Sequence, residues 1–299
     1  PIVSSLSHYE IISQRGDATL GTPGEGVLAG FLPVVEFKNR YALAQDTNDS
    51  PTADPQPQWN GNFLPDPGDA GLTGDMTPDP LNGPDRTIIS VFNPGSQAAT
   101  VVLSFAGRDG AQLPGFDQRT ITVAAQSRRG IDVADLGFPA DAEFSVLYES
   151  STPIVISATV FQGPDAITFE GGDIASTTWM FGEGFMNRER AGVSIMENIY
   201  ISNPTDFIAN VTLDFLMADG QTRSVRRTVY PLVTEDVEVH RVSRIAVDFA
   251  ATWYGVRIIS DVPIVAFMEH WDDFQGGGGF ATQGSPGGER YDVWQILPN

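Results

Sequence analysis

Short runs of the chain alternate apolar with polar residues. Val101, Leu103 and Phe105 alternate with Thr100, Val102 and Ser104, and Val211, Leu213 and Phe215 alternate with Thr212 and Asp214. A period of two sends one set of side chains into a core and the other toward water, so both runs predict strands. Further strands are predicted near residues 119–123, 127–133, 143–149 and 154–161, with counterparts near 223–230, 236–240, 254–260 and 264–271. Asp109-Gly110 and Asp219-Gly220 follow the alternating runs. That dipeptide tolerates the positive φ of a tight hairpin, so each should turn its strand into the next. Asn93-Pro94 and Asn203-Pro204 should close the strands before them, because proline brings no N–H to a ladder. Helix is expected to be scarce, with residues 242–251 the best candidate.

The pattern occurs twice. Residues 87–110 and 197–220 align without gaps at an offset of 110, with 9 identities in 24 positions: Ile89, Asn93, Pro94, Ala99, Val101, Leu103, Phe105, Asp109 and Gly110 meet their counterparts. Chance gives roughly one or two. The same offset carries Ser150 to Ser260 and Pro153-Ile154-Val155 to Pro263-Ile264-Val265. About seven short strands per ~110 residues predict an all-β fold of two tandem immunoglobulin-like β-sandwich domains.

The Pro-Ile-Val strand, however, occurs three times. Pro1-Ile2-Val3 with His8-Tyr9 matches Pro263-Ile264-Val265 with His270-Trp271, and Gly21-Thr22-Pro23-Gly24 matches Gly284-Ser285-Pro286-Gly287. A surplus strand carries unpaired N–H and C=O groups and tends to pair with another chain. Three outcomes stay open: docking into a neighbouring subunit by strand addition, a natural protein that continues upstream, or an eighth strand in the first domain. The expected organisation is an N-terminal strand and linker over 1–24, a first sandwich over 25–170, a second over 171–287 and a tail over 288–299. Pro1 stands where a Met would open a nascent chain, so any targeting segment is expected upstream or removed.

The first two Pro-Ile-Val copies lie 152 residues apart, 42 more than the offset of 110, and composition places the excess at 41–85. That insert holds eight prolines, five glycines and eight aspartates without one Lys or Arg. It has too little apolar surface for a core of its own, and Trp59, Phe63 and Leu64 are its expected anchors. Asp46, Asn48 and Asp49 are candidate calcium ligands, since hard cations take carboxylate and amide oxygens. The competing reading is a solvated acidic loop, because the spacing lacks the terminal Glu of an EF-hand. No other cofactor is expected.

Charge narrows the partners. Lys and Arg number 17 against 38 Asp and Glu, a net charge of -21, which argues against nucleic acid and anionic bilayers. No apolar run reaches the ~18 residues of a membrane span. Cysteine is absent, so no disulfide framework exists. The 299 residues suffice for two cores. Of the three histidines, His8 and His270 share a repeat position, which favours a structural role, and no nucleophile elbow, zinc motif, phosphate loop or dinucleotide fingerprint is present. Asp272-Asp273 beside His270 is a metal or acid–base candidate whose simpler reading is a polar strand end. No catalytic residue is expected.

The pattern Trp179-x-Phe181-x-Glu183-Gly184, then Asn203-Pro204, Val211-Thr212, Asp219-Gly220 and Ser260-Asp261-x-Pro263-Ile264-Val265-Ala266, resembles a family of secreted bacterial β-sandwich repeats of uncharacterised function. In the first copy Gly30-Phe31-Leu32 stands where Trp179-Met180-Phe181 opens the second. The resemblance implies an extracellular, tandem, noncatalytic setting and carries over no catalytic residue. The resulting expectation is an extracellular or cell-surface structural protein that self-associates into a homopolymer, a filament or surface layer, by head-to-tail strand addition. Its interface residues are expected to be Ile2, Val3, Leu6, His8 and Tyr9, with Trp294, Ile296 and Leu297 of the tail. The alternative is a carbohydrate-binding or adhesive module that takes cell-surface glycans.

Overall fold

The computed structural model describes residues 28–32, 86–107, 118–136, 144–162, 165–186, 195–239, 242, 252–272 and 278–298. These residues are all-β, in several antiparallel sheets. In the N-terminal half, one four-stranded sheet has the order β1 (Leu28–Leu32), β6 (Phe144–Ser150), β3 (Ala99–Gly107), β4 (Gln118–Val123). The other has the order β5 (Ser127–Asp132), β2 (Arg86–Asn93), β7 (Val155–Gln162), β8 (Asp165–Glu170). Between them lie Ile89, Val91, Val101, Leu103, Phe105, Val146 and Ile156, every second residue of their strands, as period-two patterning requires.

In the C-terminal half the strands are β9 (Ile174–Phe181), β10 (Phe185–Met186), β11 (Ile195–Ser202), β12 (Ala209–Met217), β13 (Thr222–Val229), β14 (Thr234–Glu238), β15 (Thr252–Asp272) and β16 (Gly278–Gln283). Two short strands, β17 (Ser285–Pro286) and β18 (Arg290–Asp292), line the free edge of β9, and a single helical turn, α1 (Val293–Ile296), follows.

Registers recur between the halves. Val101 pairs with Ser150 as Val211 pairs with Ser260, Ile89 with Ala158 as Ile199 with Met268, and Leu32 with Val146 as Phe181 with Val256. The sequence-level placement of Gly30-Phe31-Leu32 opposite Trp179-Met180-Phe181 is therefore met residue for residue. Within that correspondence, size is exchanged across the strand pair. Gly30 faces Tyr148 in the first half, whereas Trp179 faces Ile258 in the second. A Cβ on Gly30 would collide with the Gly172 carbonyl and the Tyr148 ring. Trp179 is buried and its Nε1–H donates to the Ile264 carbonyl at 2.7 Å.

One difference from the predicted strands is their fusion at the C-terminus. The runs 254–260 and 264–271 are one strand, β15, whose register against β9 shifts between Ile259 and Ile264. Its first arm pairs with β12 and its second with β11 and β16, so one backbone serves both sheets. Strands β1, β8, β9, β10, β16, β17 and β18 lie outside the predicted runs, although Ile167 and Phe169 of β8 do alternate with Thr168 and Glu170. The helix candidate at 242–251 lies, but for Val242, outside the described residues, as do residues 1–24, the insert at 41–85 and Asp109-Gly110. Asp219-Gly220 does turn β12 into β13: Gly220 has φ +82, and the Gln221 N–H donates to the Asp219 carboxylate at 2.8 Å.

The asparagines before Pro94 and Pro204 do more than end strands. Both are fully buried. Asn93 Nδ2 donates to the carbonyls of Gln97, Val123 and Ala124 while its Oδ1 accepts from the Gly95 N–H at 2.9 Å. Asn203 Nδ2 donates to the carbonyls of Phe207 at 2.7 Å and Val229 at 3.1 Å, and its Oδ1 accepts from the N–H and hydroxyl of Thr205. Each amide ties one sheet's turn to the last strand of the other sheet.

Apolar packing also joins the halves. Ala29, Phe31, Val160, Ile167 and Phe169 of the first pack with Tyr200, Val265 and Phe267 of the second and with Val293 of α1. Phe169 meets Tyr200 and Phe267 edge-on at 5.8 and 6.5 Å. The halves also bridge at Phe31 and Gly172, whose N–H groups and carbonyls exchange bonds at 3.0 and 2.9 Å.

Asn203→Ala strands two buried carbonyls and the Thr205 donors, so it should lower unfolding stability by about 2–4 kcal/mol in urea titration, with Asn93→Ala acting alike. Gly30→Ala should cost about 1–3 kcal/mol or more by overpacking against backbone that cannot yield.

Candidate functional site

The described residues hold one cluster with the composition of an acid–base centre. Glu197 lies on β11 at the same parity as Ile199 and Ile201, and therefore points into the C-terminal core. It is 0% exposed. Cross-strand register sets it opposite His270 on the second arm of β15. The packing of the two sheets brings Tyr254, on the first arm of β15, against it from the other side. The short strand β10 adds a backbone donor.

Both carboxylate oxygens are engaged. Oε1 accepts from the Phe185 N–H at 2.8 Å and lies 3.1 Å from His270 Nδ1, and Oε2 accepts from the Tyr254 hydroxyl. The His270 ring stacks on Phe280 with centroids 5.1 Å apart, and Tyr254 meets Phe215 edge-on at 5.4 Å. Burial pushes the Glu197 carboxyl above its ordinary value. The bonds from His270 and the Phe185 N–H, with the charge of His270, oppose that rise, and the charge of Glu183 reinforces it. Carboxylate, phenol and imidazole in one cluster can store and pass a proton. With Glu197 sealed and both its oxygens occupied, the chemistry available is internal: it joins both arms of β15 to β11 and β10.

A second buried carboxylate sits one residue away on the opposite face. Glu269 pairs in register with Asn198, and its Oε2 accepts from the Tyr200 hydroxyl and from Asn198 Nδ2 at 3.1 Å. This group lies beside the packing between the halves, which Tyr200 enters.

Two carboxylates serve the outer surface, Asp214 nearly covered by its partners and Asp261 exposed. Asp214 accepts from Ser224 Oγ and from Arg257 Nη2, both at 2.7 Å, and these bonds, Ser224 foremost, hold its carboxyl below the usual range. Asp261 accepts from the side chain and the N–H of Asn210, each at 2.7 Å, with the same effect. An open groove of about 520 Å³ lies along β12 and β13, lined by Asn210, Thr212, Arg226, Arg227, Thr228 and Glu235 among others.

The sequence-level sites fall as follows. Asp46, Asn48 and Asp49, the proposed calcium ligands, lie outside the described residues, and so do Ile2, Val3, Leu6, His8 and Tyr9. Trp294, Ile296 and Leu297 pack, partly buried, against the apolar cluster of their own chain that joins the halves. His270, for which the shared repeat position favoured a structural role, is the partner of a buried acid. Among the described residues no three His, Asp or Glu side chains converge as metal ligands, and no helix is long and apolar enough to cross a membrane. Sequence reasoning missed Glu197. The signal was present: in the gapless alignment Glu197 meets Thr87, itself buried, at an inward position of a strand.

Fold and cluster together define an all-β protein whose best acid–base constellation is sealed inside a sheet core. The chain belongs to a family described as "Family of unknown function (DUF5719)", matched over residues 84–285. No curated protein matches it. A solved structure from Thermotoga maritima, "Crystal Structure of Thermotoga maritima 1070", is similar at 18% identity with a TM-score of 0.34, covering 37% of this chain and 94% of that one. A likeness at that score carries no argument.

Glu197 supplies a pH test. Its carboxyl holds a proton more tightly folded than unfolded, so its contribution is complete below the ordinary value of 4.5 and is lost as pH rises through the raised value. Asp214 and Asp261 have the opposite sense: their contribution is present above 3.8 and lost as pH falls through their lowered values. Relative to Glu197→Gln, the unmodified chain should therefore lose stability as pH is raised from 4.5 toward 7, read from urea midpoints of both proteins. A pH-independent difference would contradict the raised carboxyl.

Proposed function

We propose that the two halves are tandem copies of one immunoglobulin-like sandwich, and that the chain is a noncatalytic, extracellular structural protein that self-associates. The observation that carries this reading is how the buried polar groups are used. Asn93, Asn203, Glu197 and Glu269 all bond inward, to backbone or neighbouring side chains, and Glu197, centre of the one acid–base cluster described, is sealed. A continuous apolar cluster between the halves favours a stiff unit over two freely swinging domains.

Head-to-tail strand addition remains the favoured route of assembly, through Ile2, Val3, Leu6, His8 and Tyr9, into a filament or surface layer. It rests on the three-against-two count of the Pro-Ile-Val strand. Edge strands suited to accept such a segment exist: β4, β5, β13 and β14 each end their sheet order. Calcium bound by Asp46, Asn48 and Asp49 would stiffen the acidic insert, and its signature is a melting temperature lowered by chelation.

A second reading, a glycan-binding or adhesive module, is favoured by Trp253, which is exposed and stacks on Phe185 at 4.2 Å. Negative-stain microscopy separates the two. Ordered polymers that disappear when residues 1–10 are deleted, with the melting temperature kept, are expected for strand addition. A monomer that binds a glycan array and loses binding in Trp253→Ala would replace it.

A further inference from the structure

Four of the eight exposed large apolar side chains among the described residues share one sheet face, while Phe92, Phe207, Ile208 and Tyr230 lie elsewhere. Leu216 of β12 sits opposite Gly255, Met180 of β9 opposite Arg257, and Thr212 opposite Ile259, while Trp253 shares the parity of residues 255, 257 and 259. Met180, Leu216, Trp253 and Ile259 therefore share the outer face of the sheet run β13-β12-β15-β9, and they are 46, 47, 54 and 41% exposed. Inward positions on the same strands, Trp179, Phe215, Tyr254 and Ile258, fill the core. Four large apolar side chains on one flat face exceed what scattered surface residues account for.

Comparison of the halves says what such a face is for. Met180, Leu216 and Ile259 correspond to Phe31, Ala106 and Glu149 in the first half; Phe31, with Ala29 on the same face, is fully buried against the C-terminal half and α1, while Ala106 and Glu149 stay partly exposed. This sheet face is thus in part already a packing surface in the protein, used at Phe31 and Ala29 within the chain and left open in the second half. Its charge suits self-contact. The charged side chains at its outward strand positions are Asp214, Arg226, Arg257 and Asp261, equal in sign count, on a chain that carries -21 overall. Two copies could approach there without the repulsion that the rest of the surface imposes.

We infer that the outer face of β9, β12 and β15 is the contact between two copies of this chain, paired face to face about a two-fold axis. The occupant is a second copy of the same face because its outward charges, two acidic and two basic, cancel in sign, so the face can meet itself without net repulsion. A self-complementary patch closes into a dimer, so this contact is separate from head-to-tail strand addition and would join chains or filaments side by side. Four strands spaced about 4.8 Å, with about seven residues of β15 at about 3.4 Å each, give roughly 450 Å² of flat sheet per partner. The total of about 900 Å² falls below the range of stable interfaces and among weak, transient ones, which implies a dimer of micromolar affinity or weaker.

Sedimentation velocity of the full 299-residue chain at about 1 to 500 µM should show a monomer–dimer equilibrium. The double variant Met180→Asp with Ile259→Asp should weaken it at least tenfold, whereas Phe92→Asp should leave it unchanged, both variants keeping the parent melting temperature. The absence of cysteine permits a second readout that does not depend on tolerating buried charge. Met180→Cys, Leu216→Cys and Ile259→Cys are each oxidised alone at the dimer concentration, and at least one should yield a covalent homodimer well above the Phe92→Cys control. A chain that stays monomeric throughout, a double variant that dimerises as the parent does, or no crosslink above the control would overturn the inference. So would a monomer whose tryptophan fluorescence responds to added oligosaccharide, which would assign the face to a sugar. Polymers seen by microscopy that the double variant does not alter would sink this contact and leave the proposed function standing. A dimer lost in the double variant without any polymer would do the reverse.

Discussion

A buried carboxylate joins the two arms of a strand that both sheets of the C-terminal half share. β15 runs from Thr252 to Asp272, and Tyr254 and His270 stand near its opposite ends. Glu197 bonds to both and to the Phe185 backbone between them. Without that contact the sandwich would rely on Asn203, the Trp179 indole and apolar packing to keep its faces in register, and apolar packing is non-directional. Taking a carboxylate out of water is costly and is offset only when its oxygens are bonded, as they are here. The gain is geometric: the sheets cannot slide without breaking bonds whose loss leaves a sealed acid unpaired.

The first half keeps matching strand registers with different parts. It has Thr87 where the second has Glu197, and two separate strands, β6 and β7, where the second has β15. Gly30 beside Tyr148 replaces Trp179 beside Ile258. The large ring moves to the opposite strand of the pair, and the pair is the smaller one in the first half, where glycine carries no side chain. What both halves retain is the asparagine at the sheet corner, with its amide bonded to the strand across the sandwich. A short polar side chain can satisfy several backbone groups at once in a tight turn, and apolar packing cannot substitute for that.

The halves differ outside as well as inside. Phe31 and Ala29 are covered where Met180 is open, because α1 and the outer face of β11 and β15 come to rest on the first half. Tyr200 and Phe267 face outward from their own sheet yet are buried, since the neighbouring half supplies the covering surface. Trp294, Ile296 and Leu297 of the tail, named in the sequence as intersubunit contact residues, take part within the chain in this same packing.

Strand positions, the β12–β13 turn at Asp219-Gly220 and the correspondence of Gly30-Phe31-Leu32 with Trp179-Met180-Phe181 were legible in the sequence. All depend on local alternation, turn chemistry or the repeat, which a linear pattern records. Which apolar residues meet between the halves, the fusion of two runs into β15 and the closing of Tyr254 and His270 on Glu197 were not legible. Residues 197, 254 and 270 are far apart in the chain, and only the stacking of two sheets makes them neighbours. The sequence by itself determined an all-β fold and the buried parity of its alternating strands, such as β3 and β12, because those follow from period-two patterning. Tertiary structure decided which outward faces are covered and which acids are sealed, because burial is a property of what packs against a residue.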